Sequence, residues 1–451
     1  MKHQITEQTI MFMSIVKWTL LATITGAVVG VGVHYFLTLL AGASAWTASF
    51  PYYYLALPAA FMVSIILVKY FAPNAKGHGT EKVIEAFHKN NGHIEPKVIP
   101  IKVLATIITI AAGGSVGKEG PSAQIGSGIA SLMADLLHLD EHDRKKILVC
   151  GVSAGFATVF GTPIAGAIFG IEILFVGRIL YDVLLPSLVA GITGYEVAVA
   201  LGTVPFHETI ASLPKTFNFA PLFAAGILFG LMGLLLIKSL HLLEGMVQKI
   251  KIWEPWKGVM GGFLILALLP LTHTTYLGLG TPVLEAALKG ANMPWYTAFG
   301  KILFTDLTLA FGGSGGVITP IFFIGATAGN AFAVLLHLSP EFYAAMGMVG
   351  LVAATANAPI SAILMASEIF GPAVLLPAAV VCSLSFLING HNSIYPSQIL
   401  AMKKSLSLDV EVGKEIEHVT SHLAPHHPHA VAHARRLQST LHSFAKSSPH
   451  A

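Results

Sequence analysis

Gly113-Gly-Ser-Val-Gly-Lys-Glu-Gly-Pro121 and Gly312-Gly-Ser-Gly-Gly-Val-Ile-Thr-Pro320 share the frame GGSxGxxxP, 199 residues apart. Both copies lie inside long apolar stretches. A glycine-rich break that runs into a proline starts a helix, and the first turn of a helix leaves backbone N–H groups without intrahelical partners. In a bilayer no water is at hand to satisfy them. An anion suits such a place. Glu119, in the first copy only, is an anion already tethered there, with Lys118 beside it.

The surrounding composition agrees with a membrane setting. The chain has 451 residues, 54% hydrophobic and 11% charged, and a mean hydropathy of +0.72. A soluble domain carries roughly 25% charged residues. A polytopic membrane protein follows. The first apolar run, about 9–40, is too long for a secretory leader and has no processing site, so it is expected to remain as a span. Cys150 and Cys382 lie far apart in apolar segments and suggest neither a disulfide nor a metal framework. The net charge of +3 gives no sign of a nucleic-acid partner.

Lys69, Lys76, Lys82, Lys89, Lys97 and Lys102 cluster in one connector, Arg144, Lys145 and Lys146 in another, and Lys249, Lys251 and Lys257 in a third; Lys403 and Lys404 open the tail. Connectors near 43–52, 202–217 and 271–278 carry almost none. The positive-inside rule assigns the basic group and both termini to the cytoplasm, in a multi-pass inner (cell) membrane protein.

Several apolar segments are only 10–17 residues long, broken at 113–120, 161–163, 312–320 and 357–359. Paired short segments of this kind belong to broken helices that meet near mid-membrane. A second duplicated motif supports the frames: Pro163-Ile164 followed by Glu172-Ile173 matches Pro359-Ile360 followed by Glu368-Ile369 at an offset of 196. Two motifs in one order at nearly one offset indicate a duplication, with halves at roughly 15–201 and 218–402. The membrane domain is expected over 1–402. A short polar tail, 403–451, has eight histidines between 418 and 450 and is expected to be disordered.

Glu119 is the leading candidate for chemistry, because a carboxylate in an apolar segment is costly unless paired or functional. Gly117 and Gly120 allow close backbone approach, and Pro121 fits the first helical turn. The second frame builds the same helix start without a fixed charge, leaving the amides of Val317, Ile318 and Thr319 for a mobile anion. Partial charges suit a permeant ion, which full charges would hold too tightly. Gly77-His78-Gly79-Thr80-Glu81 is a third glycine-framed helix start, or an ordinary turn. Tyr395 reads as an interfacial aromatic or as a phenol donor to an anion. Glu172 and Glu368 read as capped helix-end carboxylates or as ion-handling groups. The pattern GxSxG occurs at 113–117, 151–155 and 312–316, so an intramembrane serine hydrolase is a distant alternative. A cation transporter using Glu119, Glu172 and Glu368 is opposed by the amide-rich sites.

These motifs resemble the CLC family of chloride channels and chloride/proton exchangers, over roughly 15–402. The family's GxEGP motif stands as Gly117-Lys118-Glu119-Gly120-Pro121, its GxFxP motif as Gly316-Val317-Ile318-Thr319-Pro320, its first anion motif as Gly77-His78-Gly79-Thr80-Glu81, and its tyrosine as Tyr395. The resemblance implies an all-α fold of about eighteen helices, many tilted or partly spanning, in two inverted-topology repeats. It implies no enzyme, cofactor or metal, and a homodimer joined through roughly 163–200 and 359–389, with one chloride pathway per subunit. Glu119 would be the gate and a proton carrier. Gly77, His78, Lys118, Gly120, Val317, Ile318 and Tyr395 would bind the anion, and Glu172 is a second candidate for proton transfer.

Four positions depart from the family pattern. His78 replaces a serine that contacts the central anion, which opens selectivity and adds a titratable group. Glu81 stands where proline is usual, and Ile318 where phenylalanine is. Ile173 occupies the position at which well-studied exchangers carry their inner proton-transfer glutamate, so passive channel and proton-coupled exchanger both stand. The retained Pro121 argues against the fluoride-exporting branch.

Overall fold

The computed structural model describes residues 2–206, 208 and 218–423. Eight α-helices fill the first half: α1 (Lys2–Ala48), α2 (Leu57–Phe71), α3 (Thr80–Lys89), α4 (Val98–Ala111), α5 (Glu119–Leu136), α6 (Glu141–Phe160), α7 (Pro163–Glu172) and α8 (Leu184–Ala200). Eight more fill the second: α9 (Phe219–Gln248), α10 (Glu254–Thr272), α11 (Thr281–Leu288), α12 (Thr297–Ala310), α13 (Ile318–Leu335), α14 (Pro340–Ala356), α15 (Pro359–Phe370) and α16 (Leu375–Ile388). The described residues thus hold sixteen α-helices rather than eighteen; short 3₁₀ turns such as Tyr53–Ala56 and Tyr181–Val183 lead into several of them. Adding 199 to both bounds of α4 and of α5 gives the bounds of α12 and of α13.

Among the described residues six helices are long and apolar enough to cross a bilayer, whereas α4, α7 and α15 have 14, 10 and 12 residues. Sequence signals explain the breaks. Helix α6 starts on Asp140, whose side chain accepts from the Asp143 amide, and ends on Gly161 at φ 71°. Helix α14 starts on Ser339 and ends on Asn357 at φ 55°. Left-handed residues close both helices, and Pro163 and Pro359 open the next ones. The duplicated proline motif is therefore a helix stop followed by a helix start.

The two halves meet at the opening frames. Gly117 and Gly316 pair antiparallel, each amide donating to the other's carbonyl at 2.6 Å. Equivalent residues paired antiparallel place a local two-fold axis between the halves. The same axis relates the Ser115 amide on Thr308 Oγ1 to the Ser314 amide on Thr109 Oγ1, both 3.1 Å.

The tail expected to be disordered from residue 403 is corrected over 403–423. Strand β1 (Phe175–Val176) pairs in parallel with β2 (Ile399–Leu400), and β3 (Leu408–Val410) pairs antiparallel with β4 (Ser421–Leu423). Val176, Leu400, Val410 and Ile416 bury one another. Lys404 anchors the segment by donating to Asn357 Oδ1 at 2.7 Å and to the Phe386 carbonyl at 2.8 Å. Small apolar residues in a polar stretch carry the docking, and a composition reading passes over them. Residues 424–451, with His426, His427 and His429, lie outside the described residues.

Candidate functional site

Three helix N-termini converge on the paired frames: α3, α5 and α13. Glycine makes the convergence sterically possible. A Cβ on Gly120 would lie 2.0 Å from the His78 carbonyl oxygen, and one on Gly316 would lie 2.7 Å from the Gly120 amide nitrogen. A Cβ on Gly79, the α3 N-cap at φ 83°, would lie 2.5 Å from the Gly120 carbonyl oxygen.

Glu119 is 3% exposed, and its carboxylate crosses to the other half of the repeat. It accepts from the Thr319 amide at 3.0 Å and from Thr319 Oγ1 at 2.6 Å. The three amides expected to await a mobile anion are thus reduced by one: the tethered carboxylate already holds the amide of Thr319. Val317 is the α13 N-cap and Ile318 its first residue, both buried, and helical geometry leaves their amides without an intrahelical acceptor. Lys118, the α5 N-cap, is half-buried. Gly77, at φ 79°, turns the chain into the third helix start.

Tyr395 is fully buried, so the interfacial reading fails for it. Its hydroxyl and that of Thr80 lie side by side, and neither makes a hydrogen bond of good geometry. Two adjacent buried hydroxyls can spend only one proton on each other, so one donor is left over and marks a place for an acceptor. His78 is 7% exposed; its Nδ1 has no partner, and its Nε2 lies 3.8 Å from Glu244 Oε1 on α9. Glu81 turns away to the Ser397 amide at 3.0 Å and to the Ser397 hydroxyl, and burial raises its carboxyl above the ordinary value.

Glu172 and Glu368 form a reciprocal pair. Glu172 accepts from the amides of Ile360 and Ser361 at 3.0 and 2.8 Å, and Glu368 from those of Ile164 and Ala165 at 2.9 and 2.7 Å. Each carboxylate caps the helix start of the other half. Glu172 also borders a cavity of about 670 Å³ with Arg178, Asn357 and Phe386. Ile173 is fully buried, and its carbonyl accepts from Gln398 Nε2 at 2.7 Å.

The sequence reading missed two buried lysines. Lys102 donates to the carbonyls of Ala75 and Gly77 at 3.1 and 2.7 Å, and Lys301 to those of Tyr276 and Gly278 at 3.1 and 2.9 Å. They steady two equivalent loops, Gly77-His78-Gly79-Thr80 and Gly278-Leu279-Gly280-Thr281. The shared GxGT, at an offset of 201, is a third duplicated motif and was there to be read. The GxSxG serines have ordinary partners: Ser115 Oγ with Thr305, Ser153 Oγ with the Ala167 carbonyl, Ser314 Oγ with Thr106. None of these partners is a histidine, as a hydrolase would need.

Comparison with known proteins bears on the same residues. The voltage gated chloride channel family model matches residues 59–390. A chloride/fluoride channel protein of Pseudomonas syringae pv. tomato is 36% identical over 399 residues, covering 86% of this chain and 88% of the relative. An H+/Cl− exchange transporter of Klebsiella pneumoniae is 26% identical, covering 73% and 75%. The crystal structure of a CLC-type fluoride/proton antiporter superimposes with a TM-score of 0.80 at 29% identity, over 85% of this chain and 98% of that one. Two of these names include fluoride, against the expectation drawn from Pro121.

Proposed function

The chain belongs to the voltage gated chloride channel family of membrane transport proteins, which are channels or transporters and not enzymes; on that premise we propose that it carries a halide through one pathway per subunit, in exchange for protons, with Glu119 as the gate. The observation that carries the reading is the Glu119 carboxylate seated on the α13 start, where it accepts from Thr319. An ionised carboxylate there occupies the place of a permeant anion. Protonation removes the charge that the amides and the helix dipole favour, and the side chain yields the site. Gate opening is thereby coupled to proton uptake.

Val317 and Ile318 would offer amides to the next anion, and Tyr395 and Thr80 their hydroxyls, with Gly77, His78, Lys118 and Gly120 shaping the mouth. Glu119 keeps the proton role in this reading. Glu172, with both oxygens spent on amides, is left as a cap.

Chloride is the cargo drawn from the motifs. Fluoride is a second reading, favoured by the descriptions of two relatives. The exposed apolar residues Ile164, Leu185, Ile360 and Leu376, on α7, α8, α15 and α16, support a homodimer through these helices. Basic connectors support an inner-membrane location with both termini in the cytoplasm.

The test is purified protein in vesicles, with a chloride or fluoride gradient imposed and external pH recorded. Proton movement against its own gradient is expected. Anion flux with no proton movement under any gradient makes the protein a passive channel.

A further inference from the structure

Residue 173 leaves the inner side of the gate without its expected proton carrier. A second set of buried titratable groups lies elsewhere, on the α9 side of the anion mouth. His78 has one ring nitrogen facing Glu244 at 3.8 Å and the other buried and unpartnered, and its carbonyl abuts Gly120, the residue after the gate. An imidazole with one nitrogen on a carboxylate and the other unspent can take a proton at one side and release it at the other. Glu244 lies near the C-terminal end of α9, with a side chain 31% exposed, so it meets both solvent and the buried histidine.

We propose that Glu244 and His78 form the inner proton-transfer step of this protein, in place of the side chain missing at position 173. A proton from the aqueous side binds the Glu244 carboxylate and passes to His78 Nε2. The proton on His78 Nδ1 leaves toward the anion pathway, where the Glu119 carboxylate accepts it; the imidazole is left protonated on Nε2, and a flip of the ring restores the starting arrangement before the next transfer. One proton enters and one leaves, with no other bond changed.

Neighbouring groups fit that task. Lys76 from the preceding loop and His241 from α9 face Glu244, and Glu81 of α3 faces His78. Lys238 and, from the tail, Glu417 act on His241. On α12, Asp306 is 3% exposed, lies beside Ser239 and within the field of Glu244, and has one oxygen without a partner. Glu172 offers less for the role, since both of its oxygens already hold helix amides.

The inference rests on the exchange reading, and the experiment separates the two. Protons moved per anion are measured in vesicles for the wild type, Glu244→Gln and His78→Gln, with both chloride and fluoride. The ratio is expected to fall at least about tenfold in each variant, the scale of losing a positioned proton carrier. A wild type that moves no protons removes the exchange reading and the relay with it. A coupled wild type with either active variant at the wild-type ratio overturns the relay alone. Arrest of both ions in both variants also overturns it, because it assigns the pair to the anion path itself.

Discussion

Replacing Thr319 by valine removes one hydroxyl from the seat of the Glu119 carboxylate and leaves the amide, the helix and the side-chain volume in place. Thr319 Oγ1 lies 2.6 Å from the Glu119 carboxylate, in a spot where Glu119 is 3% exposed and water cannot substitute. A hydrogen bond to a charged group contributes about 1.5–3 kcal/mol net. At about 1.4 kcal/mol per tenfold, its loss shifts the balance between a seated and a withdrawn carboxylate by roughly 10- to 150-fold. If the seated carboxylate limits flux, halide efflux from vesicles at neutral pH rises in Thr319→Val toward the ceiling set by Glu119→Gln. Thr319→Ser, which keeps the hydroxyl, stays near wild type. An ion-selective electrode in the external buffer reads all four proteins. Wild-type efflux from Thr319→Val, alongside raised efflux from Glu119→Gln, would refute the idea that this hydroxyl holds the gate.

Other consequences concern the frame around the gate. Glu172→Gln and Glu368→Gln each exchange a carboxylate that accepts two amides for a neutral cap, at a cost of about 1 kcal/mol. The double variant should lose less than the sum in thermal unfolding, because both act on the one α7–α15 contact; strict additivity would separate them. Burial holds Lys404 at about 7, far below the ordinary lysine value of 10.5. Between those values the released tail binds more protons than the docked one, so docking strengthens as pH rises through that window and is flat below it. Limited proteolysis of the C-terminal segment should slow with rising pH in the wild type and not in Lys404→Met; an equal slope in both assigns the effect elsewhere.

Much of this architecture could be read from the chain because a duplication writes each structural device twice. The GGSxGxxxP frames gave the two helix starts, and the proline motifs gave the left-handed helix stops at Gly161 and Asn357. The membrane class followed from composition. Contacts between distant residues were not legible. Nothing local to Glu119 says that it reaches Thr319, 200 residues on, or that Glu172 and Glu368 cap each other's neighbours. Lys102 and Lys301 passed as connector charges, since a lysine whose partners are carbonyls leaves no carboxylate to notice. Tyr395 could be assigned only through a resemblance, because burial is a property of the fold and not of its neighbours in sequence. His78 was marked as a departure, but Glu244, on a long apolar helix, was not connected to it.

In the mechanism proposed above, the Glu119 carboxylate, held by the Thr319 amide at the start of α13, is the gate. The most direct measurement is halide efflux from vesicles as a function of pH, for the wild type and Glu119→Gln. Wild-type efflux is expected to rise steeply on acidification, and Glu119→Gln efflux to be high and flat across the same range. A Glu119→Gln protein that retains the wild-type pH profile would contradict that mechanism.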